Sequence, residues 1–374
     1  MNKQGVFFIH DSTQAIRDIA FRTAPDRTLI VFSGGGLSNR IRVLISGIVL
    51  AEAMGREFAM LWQANHHCGA AFDVLFQNKW PVVHLPIPSS ELMNFPILTE
   101  LAPFQISKWS DKRLDLLLEY PRQHIFLRYY GWLIRPEGKT AYASLQRRCL
   151  QLLNELQPIE SVLTRIESFR AVHFSPTMIG IHLRRGDFNR CRPHFCQNTS
   201  MAFRAVDRFL EYDPAAGILL CTDDGAVDPK TGKPTTAEGV HARFVERYGK
   251  RVVWSSPRSL DRQTPEAVQD ALVDLWLLRS TNYLVGTYGS SLSGMAVVGR
   301  SIPRTLCVNE TAIDIQLEKV INSIGSGALV RFVSHLYFDG NLPFPLAWRW
   351  FVRLPLVLLR FMLRTLKING FNKP

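Results

Sequence analysis

Met178-Ile-Gly-Ile-His-Leu-Arg-Arg-Gly-Asp187 decides the fold. An apolar run of strand length goes directly into two arginines, a glycine and an aspartate. Such a run, closed by a turn, reads as a buried strand, and strands buried on both faces belong to parallel sheets. The sequence downstream keeps alternating. Helical patterns at 200–209, 237–248, 265–280 and 291–298 separate strand-like runs at Gly217–Thr222, Arg251–Trp254 and Tyr283–Gly286. Strands and helices in that alternation give a doubly wound parallel α/β sheet.

Upstream, Thr28-Leu-Ile-Val-Phe32 leads into Gly34-Gly35-Gly36. A helix over 37–54, stopped by Gly55, and a strand over 58–62 complete a βαβ unit. Residues 63–140 are rich in proline and aromatics and read as loops over short elements. A long helix over 144–169 closes this half. With 374 residues, two domains are expected. The boundaries predicted are a Rossmann-like domain over 1–170, a second over 171–335, and a tail over 341–374. A ligand cleft is expected where the two sheets face each other.

Composition removes several readings. Hydrophobic residues make up 47% of the chain and charged ones 20%, so a large core forms and disorder is excluded. No uncharged apolar stretch of about 18 residues is present, which argues against an ordinary spanning helix. The opening MNKQGVFFIHDSTQ is too short in its apolar part, and too soon acidic, for a secretion signal. Six cysteines in this length are no disulfide framework, and a reducing cytoplasm fits. The formal charge of +12 suits an anionic partner: a nucleotide, a phospholipid surface or a nucleic acid.

The excess is concentrated at the C-terminus. Arg349, Arg353, Arg360, Arg364 and Lys367 fall on one stripe of a helix, with Trp350, Phe351, Leu354, Leu358, Phe361 and Leu363 around the rest. This pattern predicts a helix lying in a membrane interface, peripheral on the inner face of the membrane. Pro343 and Pro345 mark its start, and Pro355 kinks it. The alternative is a C-terminal helix packed on its domain. A nucleic-acid role is not expected, because the basic excess sits in an apolar tail rather than in an aromatic-interleaved groove.

In open α/β sheets the chemistry lies just past the strand carboxyl ends. At the first such end, Arg184 shares a face with His182 and Arg185 points the other way. One arginine is expected to reach a ligand phosphate through its planar fork and the other to pair with Asp187. Charge growing on a departing diphosphate could be stabilised there without a metal. At the second end, Thr222-Asp223-Asp224 suits a ribose, a base edge or a helix N-cap, and the N-cap is the commoner use for at least one of the two acids. At the third, Asp270 and Asp274 lie four apart on one helical side. Asp274, among apolar neighbours, needs a partner: a guanine edge or a cation such as Arg279. Gly286-Thr-Tyr-Gly-Ser-Ser-Leu-Ser293 then turns into a helix, with Ser290 and Ser291 at its positive end. At the fourth, Gly35 and Gly36 allow a ligand close to the backbone, with Asn39 and Arg40 one turn into the helix. Neither a dinucleotide fingerprint nor a P-loop fits: Asn39 stands where the third glycine belongs, and no Gly-Lys-Ser/Thr follows. Cys191, His194 and Cys196, and separately His66, His67 and Cys68, lack zinc spacing, so no metal site is expected.

Gly34-Gly-Gly-Leu-Ser-Asn-Arg40, His182-Leu-Arg-Arg-Gly-Asp187, Thr222-Asp-Asp224, and Asp274 followed by Gly286–Ser293 together resemble the GDP-fucose-dependent fucosyltransferases with the H-x-R-R-x-D signature. These include α1,2-, α1,6- and protein O-fucosyltransferases. The motifs stand in the family's order and spacing over about residues 28–300. The resemblance implies a GT-B fold with two Rossmann-like domains, the donor bound mostly by the second. It implies transfer of L-fucose from GDP-β-L-fucose with inversion, without a cofactor or metal. Carried over, Arg184 holds the β-phosphate, His182 and Asp274 hold guanine and ribose, Ser290 and Ser291 meet the phosphates, and Asn39 reaches toward the sugar. The partners implied are a nucleotide sugar and a saccharide acceptor, here assigned to a cell-envelope glycan. In the α1,6 relatives an acid soon after the signature acts as base, but Phe188–Cys196 contains none. Asp187, His194 or a first-domain carboxylate is left for that task, or else a loosely dissociative step that takes little help from a base. Two other readings fit the same residues: transfer from a different nucleotide sugar, and a non-catalytic nucleotide- or glycan-binding membrane protein.

Overall fold

The computed structural model describes residues 27–84, 101–103, 111–121, 123–138, 141–186, 199–224, 239–287 and 289–307. The N-terminal 26 residues, Asp187, the Cys191–Cys196 cluster and the 341–374 tail lie outside them. The described chain divides into two compact units. One takes the residues up to His173 together with Ser255–Arg279 and Gly294–Ser301. The other takes Phe174–Trp254, Ser280–Ser293 and the residues from Ile302.

The first unit is built on β1 (Thr28–Phe32), α1 (Leu37–Met54), β2 (Glu57–Leu61), β3 (Val82–Val83), β4 (Leu101–Pro103), α2 (Asp111–Leu118) and β5 (His124–Arg128). The sheet order is β3-β2-β1-β5-β4, and every pairing is parallel. All five residues of β1 are buried, as expected of a central strand covered on both faces. Helix α1 occupies the predicted span and ends where Gly55 takes a left-handed conformation at φ 57°, a geometry glycine adopts without penalty. Strand β2 starts and ends one residue earlier than expected.

Two expectations are corrected here. First, the 144–169 helix is two helices, α3 (Ala143–Glu155) and α4 (Glu160–His173). Pro158 lies between them. It lacks the N–H that a continuing helix requires, and it biases Gln157 away from helical torsions. The freed backbone is used elsewhere: Gln77 N donates to Gln157 O at 2.9 Å and Ile159 N to Leu75 O at 3.0 Å. Second, residues 63–140 are more than loops over short elements. Strand β5 lies directly beside β1, with Thr28 opposite His124 and Phe32 opposite Arg128.

The second unit contains β6 (Met178–Leu183), α5 (Thr199–Tyr212), β7 (Gly217–Thr222), α6 (Val240–Tyr248), β8 (Val252–Val253), β9 (Tyr283–Thr287), the start of α8 (Ser291–Val297) and β10 (Arg304–Cys307). The order β10-β9-β6-β7-β8 is all parallel. Its core gathers Ile179, Ile181, Leu183, Ile218, Leu220, Val206 and Phe244. Strand β10 was not anticipated.

Helix α7 (Pro265–Arg279) belongs to the first unit. Its Asp270 is 3% exposed and takes Arg165 at 2.7 Å and Arg258 at 2.9 Å, so the two arginines bind α7 to α4 and to the preceding loop. In the same unit, Gly69 N donates to Arg262 O at 2.7 Å, and a Cβ at residue 69 would stand 1.9 Å from Gln263 O. Only glycine fits there.

Asp270→Asn should lower the unfolding free energy by about 2 kcal/mol in a urea titration. A charged hydrogen-bonding partner is lost, and the two half-exposed arginines recover part of the loss from water.

Candidate active site

The second sheet changes direction between β6 and β9. The chain runs outward through β6, β7 and β8, then returns to lay β9 and β10 on the other side. Beyond the strand ends at such a reversal a crevice opens, and open α/β sheets bind ligands there. The register shows the opening. Strands β6 and β9 pair only from Ile179↔Tyr283 to Ile181↔Val285. Past that point β6 continues with β7 and β9 with β10.

Side chains replace the ladder across the gap. Thr287 Oγ1 accepts the Arg184 N–H at 2.8 Å and donates to His182 O at 2.9 Å. Thr287 N donates to Ser293 Oγ at 3.0 Å, and Ser293 Oγ lies 2.7 Å from His182 Nδ1. Ser293, which also accepts the Thr287 N–H, thereby holds the imidazole in place. Burial, reinforced by the neighbouring Arg184 charge, lowers the His182 pKa to about 4. Asp223 opposes this only in part. The imidazole is therefore neutral at ordinary pH.

Asp223, at the end of β7, organises the turn that follows β6. Its Oδ1 accepts Arg185 N at 2.5 Å and Gly186 N at 3.1 Å, and its Oδ2 lies 3.2 Å from Arg184 Nε as an ionic contact. A Cβ at residue 186 would stand 2.6 Å from that Oδ2, so glycine allows the carboxylate to approach. The arginines diverge, as strand alternation requires. The Arg184 side chain keeps 19% exposure. Arg185 is buried, and its Nη2 donates to Thr199 Oγ1 at 2.6 Å. Among the described residues the ionic partner of Arg184 is Asp223; Asp187, expected to pair with one of the two arginines, lies outside them. Asp224 is not the N-cap of α6, a position held by Gly239, but its carboxylate accepts the Val240 N–H, the first amide of that helix, at 2.9 Å.

Ser290 N donates to Thr287 O at 3.2 Å in a turn where Gly289 has φ 73°. Ser290 and Ser291 are partly exposed there. Thr287, Ser293 and Thr199 were not singled out as site residues in the sequence.

The remaining expected residues are in the first unit, whose sheet also reverses, between β1 and β5. The glycine turn past β1 is held through its carbonyls. Asn65 Nδ2 donates to Gly34 O at 3.0 Å, Arg40 Nε to Gly35 O at 2.8 Å, and the Asn39 and Arg40 amides to Gly36 O. A Cβ at Gly35 would stand 3.0 Å from Asn39 Cβ and 3.2 Å from Tyr130. Arg40 is wholly buried over the Trp62 ring, and burial lowers its pKa. On α7, Asp274 accepts the Ser255 hydroxyl. Arg279 instead donates to Met295 O and Val298 O, so the suggested Asp274–Arg279 pair does not form.

No family model matches the sequence, and no curated protein matches it. Solved structures do. The NodZ alpha-1,6-fucosyltransferase soaked with GDP-fucose is 18% identical, over 73% of this chain and 93% of that one, at a TM-score of 0.47. NodZ has also been solved from Bradyrhizobium, 16% identical at a TM-score of 0.46, over 72% of this chain and 92% of that one. POFUT1 in complex with GDP is 12% identical at 0.44, over 76% and 99%. A variant of Arabidopsis thaliana FUT1 in complex with GDP is 13% identical at 0.46, over 75% and 70%. Among the described residues no group of three His, Cys, Asp or Glu side chains is placed to hold a metal, and no helix is long and apolar enough to cross a membrane.

Because the folded chain resists protonating His182, the unfolded chain takes up protons first as pH falls below about 6.5. This contribution to stability is complete above that value and is lost between there and pH about 4. Denaturation series at pH 7, 6 and 5 should show a shallower decline in His182→Gln than in the parent chain.

Proposed function

We propose that the protein is an inverting glycosyltransferase that moves L-fucose from GDP-β-L-fucose to a saccharide acceptor. The observation that carries this reading is Arg184, fixed by Asp223 and Thr287 at the rim where the second sheet reverses. A guanidinium there meets the negative charge left on GDP as the sugar departs, and because it is held beforehand it needs no reorganisation during the step. The signature His182-Leu-Arg-Arg-Gly-Asp187, with the glycine turn and Thr222-Asp-Asp224, supplies the identity of the donor by resemblance. Arginine standing in for a divalent cation makes the transfer metal-independent, with no cofactor.

Within this reading the fold is GT-B. Arg184 is the catalytic residue, with Asp187 and Asn39 at the sugar. His182, Arg185, Asp223 and Asp224 shape the donor site, and Asp274, Ser290, Ser291, Gly35 and Gly36 contribute to it. His182 does so as a neutral ring locked to Ser293. The base that takes the acceptor proton is Asp187, His194 or a first-domain carboxylate. The acceptor is a cell-envelope glycan, and residues 341–374 keep the enzyme on the inner face of the membrane.

Release of GDP from GDP-fucose over a panel of saccharide acceptors, with chelator present, tests the reaction. Protection against heat by GDP, compared with UDP and ADP, tests the donor. Arg184→Lys should reduce kcat/KM about 10²-fold or more, since a point charge cannot replace a fork aimed at the diphosphate. Near-normal turnover would remove Arg184 from the mechanism. Deleting residues 341–374 should abolish sedimentation with vesicles containing anionic lipid; a truncated chain that still sediments would place the membrane contact elsewhere.

A further inference from the structure

One aromatic pair on the rim of the second sheet has no part in the network around Arg184. Strand β8 ends at Val253, and Trp254 follows it at 37% exposure. The His241 ring stands beside the indole, with centroids 5.0 Å apart and planes at 53°. His241 is the second residue of α6, and the first amide of α6 is held by Asp224. Asp224 directly follows the carboxylate that holds Arg184. The diphosphate-facing arginine and the aromatic pair are therefore tied to the same short stretch of chain.

Their spacing suits a nucleotide. Strands β6, β7 and β8 are adjacent and parallel; Val253 stands opposite Leu219, three residues before β7 ends at Thr222, and the indole that follows it lies beside His241 at the start of α6, whose first amide is held by Asp224 just past β7. Across the sheet β8 lies two strand spacings from β6, about 10 Å, and along the strand direction it stops three residues short of Leu183. A nucleoside diphosphate with its phosphates at the reversal and its ribose past the second strand brings its base over the third, shorter one. The third strand end here carries Trp254. Burial holds the His241 pKa below its usual value against the opposing pull of Asp224, so the ring beside the indole is uncharged at neutral pH. An indole more than a third exposed, backed by a neutral imidazole, is a π-surface that accepts a planar heterocycle.

We propose that Trp254, supported by His241, is the platform on which the base of the bound nucleotide stacks. This rests on the reading of the protein as a nucleotide-sugar transferase and adds the residue that distinguishes a nucleotide from a bare diphosphate.

The test compares GDP with inorganic pyrophosphate on the full chain, by titration calorimetry. The parent protein should bind GDP more tightly than pyrophosphate. Trp254→Ala should weaken GDP about tenfold or more while leaving pyrophosphate unchanged, which also shows that the phosphate end is still folded. Trp254→Phe should keep most of the GDP affinity, and Trp254→Leu, with bulk but no π-face, should lose it. Unchanged GDP binding in Trp254→Ala, or equal binding by the Phe and Leu variants, would overturn the platform and leave the transferase reading intact. A parent chain that binds neither GDP nor UDP would overturn both.

Discussion

A carboxylate at the end of one strand shapes the loop at the end of its neighbour. Asp223 takes two successive amides through one oxygen and faces Arg184 with the other. Without it the Arg185 and Gly186 amides at the strand end would lose their acceptor. With it, the backbone after β6 is fixed in a turn that separates the two guanidiniums, one inward to Thr199 and one toward the rim. Gly186 completes this arrangement by leaving room for the acid.

The second constraint acts at the reversal itself. Once β6 and β9 separate, the ladder between them stops, and the half-buried amide of residue 184 needs another acceptor. Thr287 supplies it, and Ser293 ties the resulting knot to the imidazole of His182. Hydroxyls suit this place because each both accepts and donates. The cost is a histidine held neutral by burial, which puts acid sensitivity into the part of the fold that carries the candidate chemistry.

Much of this was legible in the amino-acid order. Thr28–Phe32 and Met178–Leu183 read as buried strands because they are short, apolar and closed by turns. Gly55 stops its helix where a left-handed residue is needed. Arg184, Arg185 and Asp223 stood out because charged groups at strand ends are unusual unless they are used. Other features were hidden. Pro158 lies inside a helical period that continues on both sides, and the period masked the break. His124-Ile-Phe-Leu-Arg128 is polar at both ends and becomes a central strand only through its pairing with β1. Thr287 and Ser293 act on residues more than a hundred positions away, and no local pattern records such a contact.

The discontinuity of the first unit bears on how the chain comes to be folded. Gly69 is pressed against the backbone of Arg262 and Gln263, and Arg165 waits on Asp270, so these contacts close loops of roughly a hundred to two hundred residues. On a ribosome the N-terminal sheet emerges first, yet the unit built on it is not closed until Ser301 has been made. The intervening strands of the second unit are synthesised while it waits. Contacts this distant in sequence slow folding and prolong the exposure of unfinished apolar surface. The unit that begins the chain is therefore the one that stays open longest.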